Sequence, residues 1–247
     1  MIDVHTHILP GIDDGSRSSQ VSRELLEESA RQGVSHICAT PHFYAHRESF
    51  DHFLEKRERA LEKVLSKKKE WGPVPAICVG AEVYYFPGMG RAERLAELCY
   101  RGTDLLLVEM PFDQWTAEVV ADIRQILEHR DLRVIIAHIE RYYGFQKDKR
   151  YWEEVFSLPV IPQLNAGPFL RPGRLFRFSE RDFCLKYIKE KGPVLLGSDC
   201  HNMESRCPNL QKGRAVIEEK IGGQALQETD TLGEKLLLGD TGAEWYE

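Results

Sequence analysis

Seven short apolar runs, each followed by a longer amphipathic stretch, set what this chain can fold into. The runs are Ile2–Ile8, His36–Thr40, Ala76–Glu82, Asp104–Glu109, Arg133–His138, Val160–Asn165 and Val194–Ser198. Between them lie helical stretches near Ser19–Gln32, Ser49–Lys69, Arg91–Tyr100, Thr116–His129, Tyr151–Phe156 and Ser179–Lys191, with a further helix over Leu210–Ile221. Strands that alternate with helices pair in parallel, because the helix carries the chain back to the same end of the sheet. Leu25, Leu26 and Ala30 give the first helix its apolar stripe, and Gly33 supplies the stop signal favoured at helix C-termini. The tail after Gly222-Gly223 reads as helical at first and frayed in its last few residues. No linker rich in Pro, Gly or Ser divides the chain, so one domain spanning residues 1–247 is expected.

The polar residues choose between a rolled and an open sheet. His5 and His7 stand at i and i+2 at the end of the first run, so both imidazoles point to one face and reach one ion. Asp14 follows in the next loop. His42 follows the second strand, Glu82 ends the third, Glu109 the fourth and His138 the fifth. Asn165 ends the sixth strand, and Asp199 with His201 ends the seventh. A barrel opens all strand C-termini onto one mouth, whereas an open sheet spreads them along a line. The expected architecture is therefore α/β, a distorted seven-stranded TIM-like (β/α)7 barrel.

Composition excludes several function classes. The formal net charge is -6 with both signs interspersed, so nucleic-acid binding through the phosphate backbone is not expected. No apolar stretch approaches the ~20 residues of a membrane helix, and direct membrane insertion is not expected either. The N-terminus lacks a basic segment followed by an apolar one, which points to a cytoplasmic protein. The six cysteines contain no Cys-x-x-Cys pair and read as reduced, mostly buried thiols.

Six motifs carry a family resemblance: Met1-Ile-Asp-Val-His-Thr-His-Ile-Leu-Pro-Gly-Ile-Asp-Asp-Gly15, Ala39-Thr-Pro-His42, Gly80-Ala-Glu82, Val108-Glu-Met-Pro-Phe112, Ala137-His-Ile-Glu-Arg141 and Gly197-Ser-Asp-Cys-His-Asn202. In this order they resemble the polymerase-and-histidinol-phosphatase (PHP) superfamily of metal-dependent phosphoesterases. The similarity is greatest to its bacterial protein-tyrosine phosphatases associated with capsule and exopolysaccharide synthesis. The resemblance implies a PHP domain holding two or three divalent ions, Mn2+ first, with Fe or Zn as alternatives. The implied ligands are His5, His7, Asp14, His42, Glu82, Glu109, His138, Asp199 and His201, with Glu82 bridging two ions. Asp14 is preferred to Asp13 because the family's ligand stands just before the loop glycine. Nine ligands without a thiolate suit borderline or hard ions rather than a tetrahedral Cys-type zinc site.

The resemblance further implies phosphomonoester hydrolysis by metal-activated water, with Arg141, Arg206 and Asp199 as catalytic residues and both arginines at phosphate-binding positions. A tyrosine leaving group, with a pKa near 10, asks little of a general acid. The implied partner is a phosphotyrosine protein, the tail of a bacterial tyrosine kinase. The sequence leaves the oligomeric state open, an oligomer included. Two departures from the family pattern stand out, Ile139 where Pro is usual and Tyr84 where Arg is usual. The rival readings are a PHP phosphatase of a small metabolite such as histidinol phosphate, a nuclease, and a metal-loaded regulatory module that binds a kinase tail without hydrolysing it.

Several features are read conservatively. Cys200-x5-Arg206 matches the phosphate loop of cysteine-based phosphatases, but Glu204 would repel the anion, and the match is taken as coincidence. Asp3 is expected to orient a ligand histidine, and Glu140 to pair with Arg141. His46 is a loop residue, His129 a helix-end histidine, and Lys67-Lys68-Lys69 a solvated helix end. Arg171, Arg174 and Arg177, interleaved with Phe169, Phe176 and Phe178, form either a solvated lid or a rim attracting acidic polypeptide.

Overall fold

Successive apolar segments of like direction must be joined by crossovers, and among the described residues every pairing between the named strands is parallel. The computed structural model describes residues 1–172, 179–239 and 242–247. Its strands are β1 (Ile2–Thr6), β2 (His36–Ala39), β3 (His42–Phe43), β4 (Ala76–Val79), β5 (Glu82–Tyr84), β6 (Leu105–Glu109), β7 (Arg133–Ile136), β8 (Ile161–Asn165) and β9 (Leu195–Gly197). They form a three-stranded sheet, β1-β2-β4, and a six-stranded sheet, β3-β5-β6-β7-β8-β9.

The expected single seven-stranded sheet is thus divided. The third expected strand breaks in two at Gly80-Ala81, and beyond the second, past Thr40-Pro41, a short further strand β3 appears that was not expected. Proline has no N–H to offer a ladder, and the buried Arg57 guanidinium takes the Gly80 carbonyl at 3.2 Å. These two places lie side by side, because the Gly80 N–H donates to Ala39 (2.9 Å) and the Glu82 N–H to Pro41 (3.0 Å). At the other extreme of the order, the Asp199 N–H donates to the His5 carbonyl (2.8 Å) and the His7 N–H to Cys200 (2.9 Å). A Cβ on Gly197 would stand 2.6 Å from the His5 Cβ, so only glycine lets β9 lie this close to β1.

The helices are α1 (Ser19–Arg31), α2 (Phe50–Lys68), α3 (Ala117–His129), α4 (Arg150–Ser157), α5 (Glu180–Lys191), α6 (Leu210–Lys220) and α7 (Gly223–Leu237). Ser18 and Ser49 cap α1 and α2, each accepting a backbone N–H at 3.3 Å, and Ser179 with Asp182 makes a reciprocal capping box on α5. The helix expected over Arg91–Tyr100 is instead two single 3-10 turns, Met89–Arg91 and Leu95–Leu98. The buried Asp122 carboxylate takes the N–H groups of Gly88 (2.9 Å) and Gly90 (3.1 Å), peptides that then leave the helical ladder.

In β6, Leu106 and Val108 face the large apolar cluster that includes helix residues such as Leu25 and Phe53, while Leu105 and Leu107 face a smaller cluster with Cys38, Cys78 and Ile135. Period-two alternation thus divides the two core layers. The chain's last residues are not frayed. Tyr246 exchanges two backbone hydrogen bonds with Ile77 (2.8 and 3.0 Å), and Trp245 meets His36 edge-on at 4.7 Å. Among the described residues, no helix is long and apolar enough to cross a membrane.

Candidate metal centre

Apart from Asp14, which lies in the loop after β1, the candidate ligands stand at or just beyond strand ends. His5 is on β1, with His7 just past its end; His42 opens β3, Glu82 opens β5 and Glu109 closes β6. His138 and Asp199 follow β7 and β9 with φ of 29° and 53°. Positive φ at such side chains costs on the order of 1–3 kcal/mol, a strain that surrounding contacts must hold. A Cβ on Gly15 would meet the His7 Cβ and carbonyl at 2.4 Å, so glycine is needed for the Asp13-Asp14 loop to lie over His7.

Glu82 is the hub. Its Oε2 lies 3.0 Å from His42 Nδ1, 3.1 Å from His5 Nε2 and 3.2 Å from His7 Nε2, while its Oε1 lies 2.8 Å from His138 Nε2. Glu109 comes within 3.6 Å of His138 and 3.8 Å of His42. Asp199 Oδ1 is 3.3 Å from His7 Nε2, 3.6 Å from His201 Nδ1 and 3.7 Å from His5 Nε2. Asp14, the exposed member, is 3.4 Å from His201 Nε2 and 3.6 Å from His42 Nε2. Eight of the nine candidates fall into three overlapping groups, His7, Asp14, His42 and His201; His5, His7 and Asp199; His42, Glu82 and Glu109, and the ninth, His138, joins through Glu82 Oε1.

The donor set fits divalent cations. Glu82 Oε2, Asp199 Oδ1 and His42 Nδ1 are buried and lack any hydrogen-bond partner, although nitrogen and oxygen atoms crowd around them. Ligand atoms sharing one ion at about 2.1 Å stand about 3 Å apart, which is the spacing found. Buried charge of this density requires compensation by counter-charge. Burial opposes ionisation of Glu82, but His5 and His42 outweigh it and hold the carboxyl well below its usual range. His5 and Asp199 behave alike: burial works against their charge, and Glu82 with Asp199 raises the imidazole while His5 lowers the carboxyl. Burial pushes His42 down to about 4 and, with Glu82 adding repulsion, Glu109 up to about 8.

A surrounding layer aims the ligands. Asp13 takes His7 Nδ1 at 2.7 Å, the Gln163 carbonyl oxygen lies 3.1 Å from His5 Nδ1, and the Tyr142 hydroxyl lies 2.9 Å from His138 Nδ1. Asn165 donates to Asp199 Oδ2 at 2.8 Å. Gln163 and Tyr142 escaped the sequence reading, and Asp13 was weighed there only as an alternative ligand to Asp14; Gln163 left a signal, as a polar residue two before Asn165 inside an apolar strand. Asp3, expected to orient a histidine ring, instead accepts the backbone N–H groups of Ser198 (2.8 Å) and His5 (3.4 Å). Through the Ser198 amide it ties β1 to the end of β9.

The arginines are placed differently from one another. Arg206 donates to Asp199 Oδ2 (2.6 Å) and to His201 Nε2 (2.7 Å). Arg141 lies 4.6 Å over the Phe112 ring and shares a cavity of about 320 Å³ with Arg206 and Asp199. It does not pair with Glu140, whose carboxyl is buried and pushed up to about 8. Arg171 lines the same cavity and pairs with Glu180, while Arg174, Arg177, Phe176 and Phe178 lie outside the described residues. Cys200 is buried, and all six cysteines are free thiols. Tyr84 stands two residues beyond Glu82, its ring 5.6 Å from Tyr44.

The family of capsular polysaccharide synthesis, CpsB/CapC, matches residues 1–233. The chain belongs to this family. It is 29% identical over 233 residues to the tyrosine-protein phosphatase CpsB of Streptococcus pneumoniae, covering 92% of this chain and 94% of that one. It is 26% identical over 229 residues to the tyrosine-protein phosphatase YwqE of Bacillus subtilis, covering 91% and 86%. The fold is similar to a crystal structure from work on YwqE and CpsB, described as unique metal-dependent tyrosine phosphatases, with a TM-score of 0.80 at 23% identity and full coverage of both chains.

Proposed function

We propose that this protein is a metal-dependent protein-tyrosine phosphatase acting on the phosphorylated tail of a bacterial tyrosine kinase in capsule or exopolysaccharide regulation. One observation carries the reading: the two oxygens of Glu82 divide between His5, His7 and His42 on one side and His138 on the other, as a bridging carboxylate must. The names of the similar proteins, tyrosine-protein phosphatases in a capsular polysaccharide family, supply the substrate class.

His5, His7, Asp14, His42, Glu82, Glu109, His138, Asp199 and His201 are the ligands in this reading, for two or three ions. With no thiolate among them, Mn2+ is preferred and Fe or Zn remain chemically acceptable. When bound, such ions lower the pKa of water and neutralise charge on phosphoryl oxygens. The protein's own part is positioning. Asp13, Gln163 and Tyr142 hold the ligand rings. Arg141 and Arg206 flank the cavity beside Asp199 and bind phosphoryl oxygens, which is where a dissociative transition state needs positive charge. A phenolate leaves readily, so no buried acid has to deliver a full proton to it.

On the same reading, the two parallel sheets are arcs of one distorted seven-stranded barrel. The β2/β3 and β4/β5 pairs each count as one strand, and the hydrogen bonds from β1 to the end of β9 close it. The chain acts as one domain over residues 1–247, in the cytoplasm. The test is side-by-side turnover of a phosphotyrosyl peptide and histidinol phosphate by Mn2+-loaded protein, with and without EDTA. Chelator-sensitive preference for the peptide is expected; preference for histidinol phosphate would reassign the substrate.

A further inference from the structure

Two tyrosines stand one step above the ligand pair His42 and Glu82. Strands β3 and β5 pair with His42 opposite Glu82 and Phe43 opposite Val83. Phe43 and Val83 are buried in the core layer. Tyr44 and Tyr84 follow on the ligand side, by period-two alternation, with ring centroids 5.6 Å apart. Both tyrosines are partly exposed. Tyr44 also lines a cavity of about 510 Å³ together with Asp14, His42 and Arg47. The Arg47 guanidinium lies 4.4 Å from the Tyr44 ring centre, and the His42 ring lies 5.2 Å away on another side. Lys56, lining the same cavity, is held by both carboxylate oxygens of Glu48 at 3.1 Å.

An aromatic pair whose Tyr44 ring stands 5.2 Å from the His42 ring offers little to a phosphate ester whose alcohol is a short alkyl chain. It offers a phenyl ring an edge or face to pack on, with a guanidinium extending the same surface. Resting on the phosphatase reading, we infer that Tyr44 and Tyr84, edged by Arg47, form the wall against which the substrate's phenyl ring lies. They are specificity residues that favour aryl over alkyl phosphate esters. Phe112 is the competing surface: it too lies under a guanidinium, Arg141 at 4.6 Å as against Arg47 over Tyr44 at 4.4 Å, but it does not line the cavity that Tyr44 shares with Asp14 and His42.

The test uses Mn2+-loaded full-length protein and two non-hydrolysable competitors, phenylphosphonate and methylphosphonate, beside turnover of a phosphotyrosyl peptide. Tyr44→Ala should raise Ki for phenylphosphonate about 10-fold and KM for the peptide similarly, with kcat and the methylphosphonate Ki within about twofold. Tyr84→Ala should show the same selectivity at roughly 3- to 10-fold, and Tyr44→Phe should stay near wild type. Should Tyr44→Ala fail to fold or load metal, Tyr44→Leu keeps the volume without the ring and should show the same aryl-selective loss. Equal weakening of both phosphonates, no weakening of either, or an aryl-selective loss in Phe112→Ala but not at Tyr44 overturns the inference. Wild-type protein inert toward the peptide would overturn the phosphatase reading, while its phenyl-over-methyl preference would still report on the wall.

Discussion

Asp13 Oδ2 lies 2.7 Å from His7 Nδ1 and receives the His42 backbone N–H at 3.1 Å. One carboxylate thus fixes the tautomer of one ligand histidine and the backbone of another. Burial works against the charge on His7, and Asp13 more than restores it, raising the imidazole well above its usual range. Asp13→Asn keeps the shape and removes the charge. It should weaken Mn2+ binding about 10- to 100-fold, the usual cost of removing such an orienting partner. A metal titration that leaves affinity unchanged would show that His7 needs no such support.

The Tyr142 hydroxyl lies 2.9 Å from His138 Nδ1 and accepts the Met110 N–H at 3.0 Å, fully buried. Tyr142→Phe leaves a buried N–H without a partner, which costs about 1–3 kcal/mol. Urea unfolding should show that loss together with lower turnover. Unchanged stability would mean that Met110 finds another acceptor.

Glu140 sets a pH dependence whose sign is definite. Burial pushes its carboxyl up to about 8 from 4.5. Between those values the folded chain keeps a proton that the unfolded chain has released. Stability contributed by this group is therefore fully present below pH 4.5 and falls as pH rises, by up to about 1.4 kcal/mol per unit, until about 8. Glu140→Gln removes the dependence. Unfolding of metal-free wild type and variant at pH 5, 6, 7 and 8 should show a difference growing in the variant's favour; a constant difference contradicts the assignment.

Cys200 heads a Cys-x5-Arg run, yet burial pushes its thiol up to about 12 and leaves it no thiolate at neutral pH. Cys200→Ala should retain turnover within about threefold, and iodoacetamide should not inactivate the wild type. Loss of activity in the variant with metal content unchanged would reopen a cysteine mechanism.

Much of this site could be read in the sequence because its ligands obey local geometry. His5 and His7 share a face by period two, and Glu82, Glu109, His138 and Asp199 mark the places where apolar runs meet polar loops. What could not be read was set by partners distant along the chain. Gln163 reaches back 158 residues to the His5 ring, and Tyr142 meets the Met110 amide 32 residues earlier. Asp3 went astray for the same reason, since its main acceptor role is toward Ser198, 195 residues on. The break at Gly80 was hidden because the apolar run carries on through Ala81, and β3 was missed because a two-residue strand has no periodicity to report. The turns over 89–98 followed Asp122, whose claim on the Gly88 and Gly90 amides no local periodicity reports.

The central claim is that Glu82 joins two halves of one cation cluster. Metal stoichiometry of wild type and Glu82→Gln after Mn2+ loading and gel filtration tests it most directly. The account predicts two or three ions per wild-type chain, at most one in the variant, and matching loss of phosphotyrosyl-peptide turnover. Equal metal content in the two proteins, or wild-type protein that binds no metal and works fully in EDTA, would contradict it.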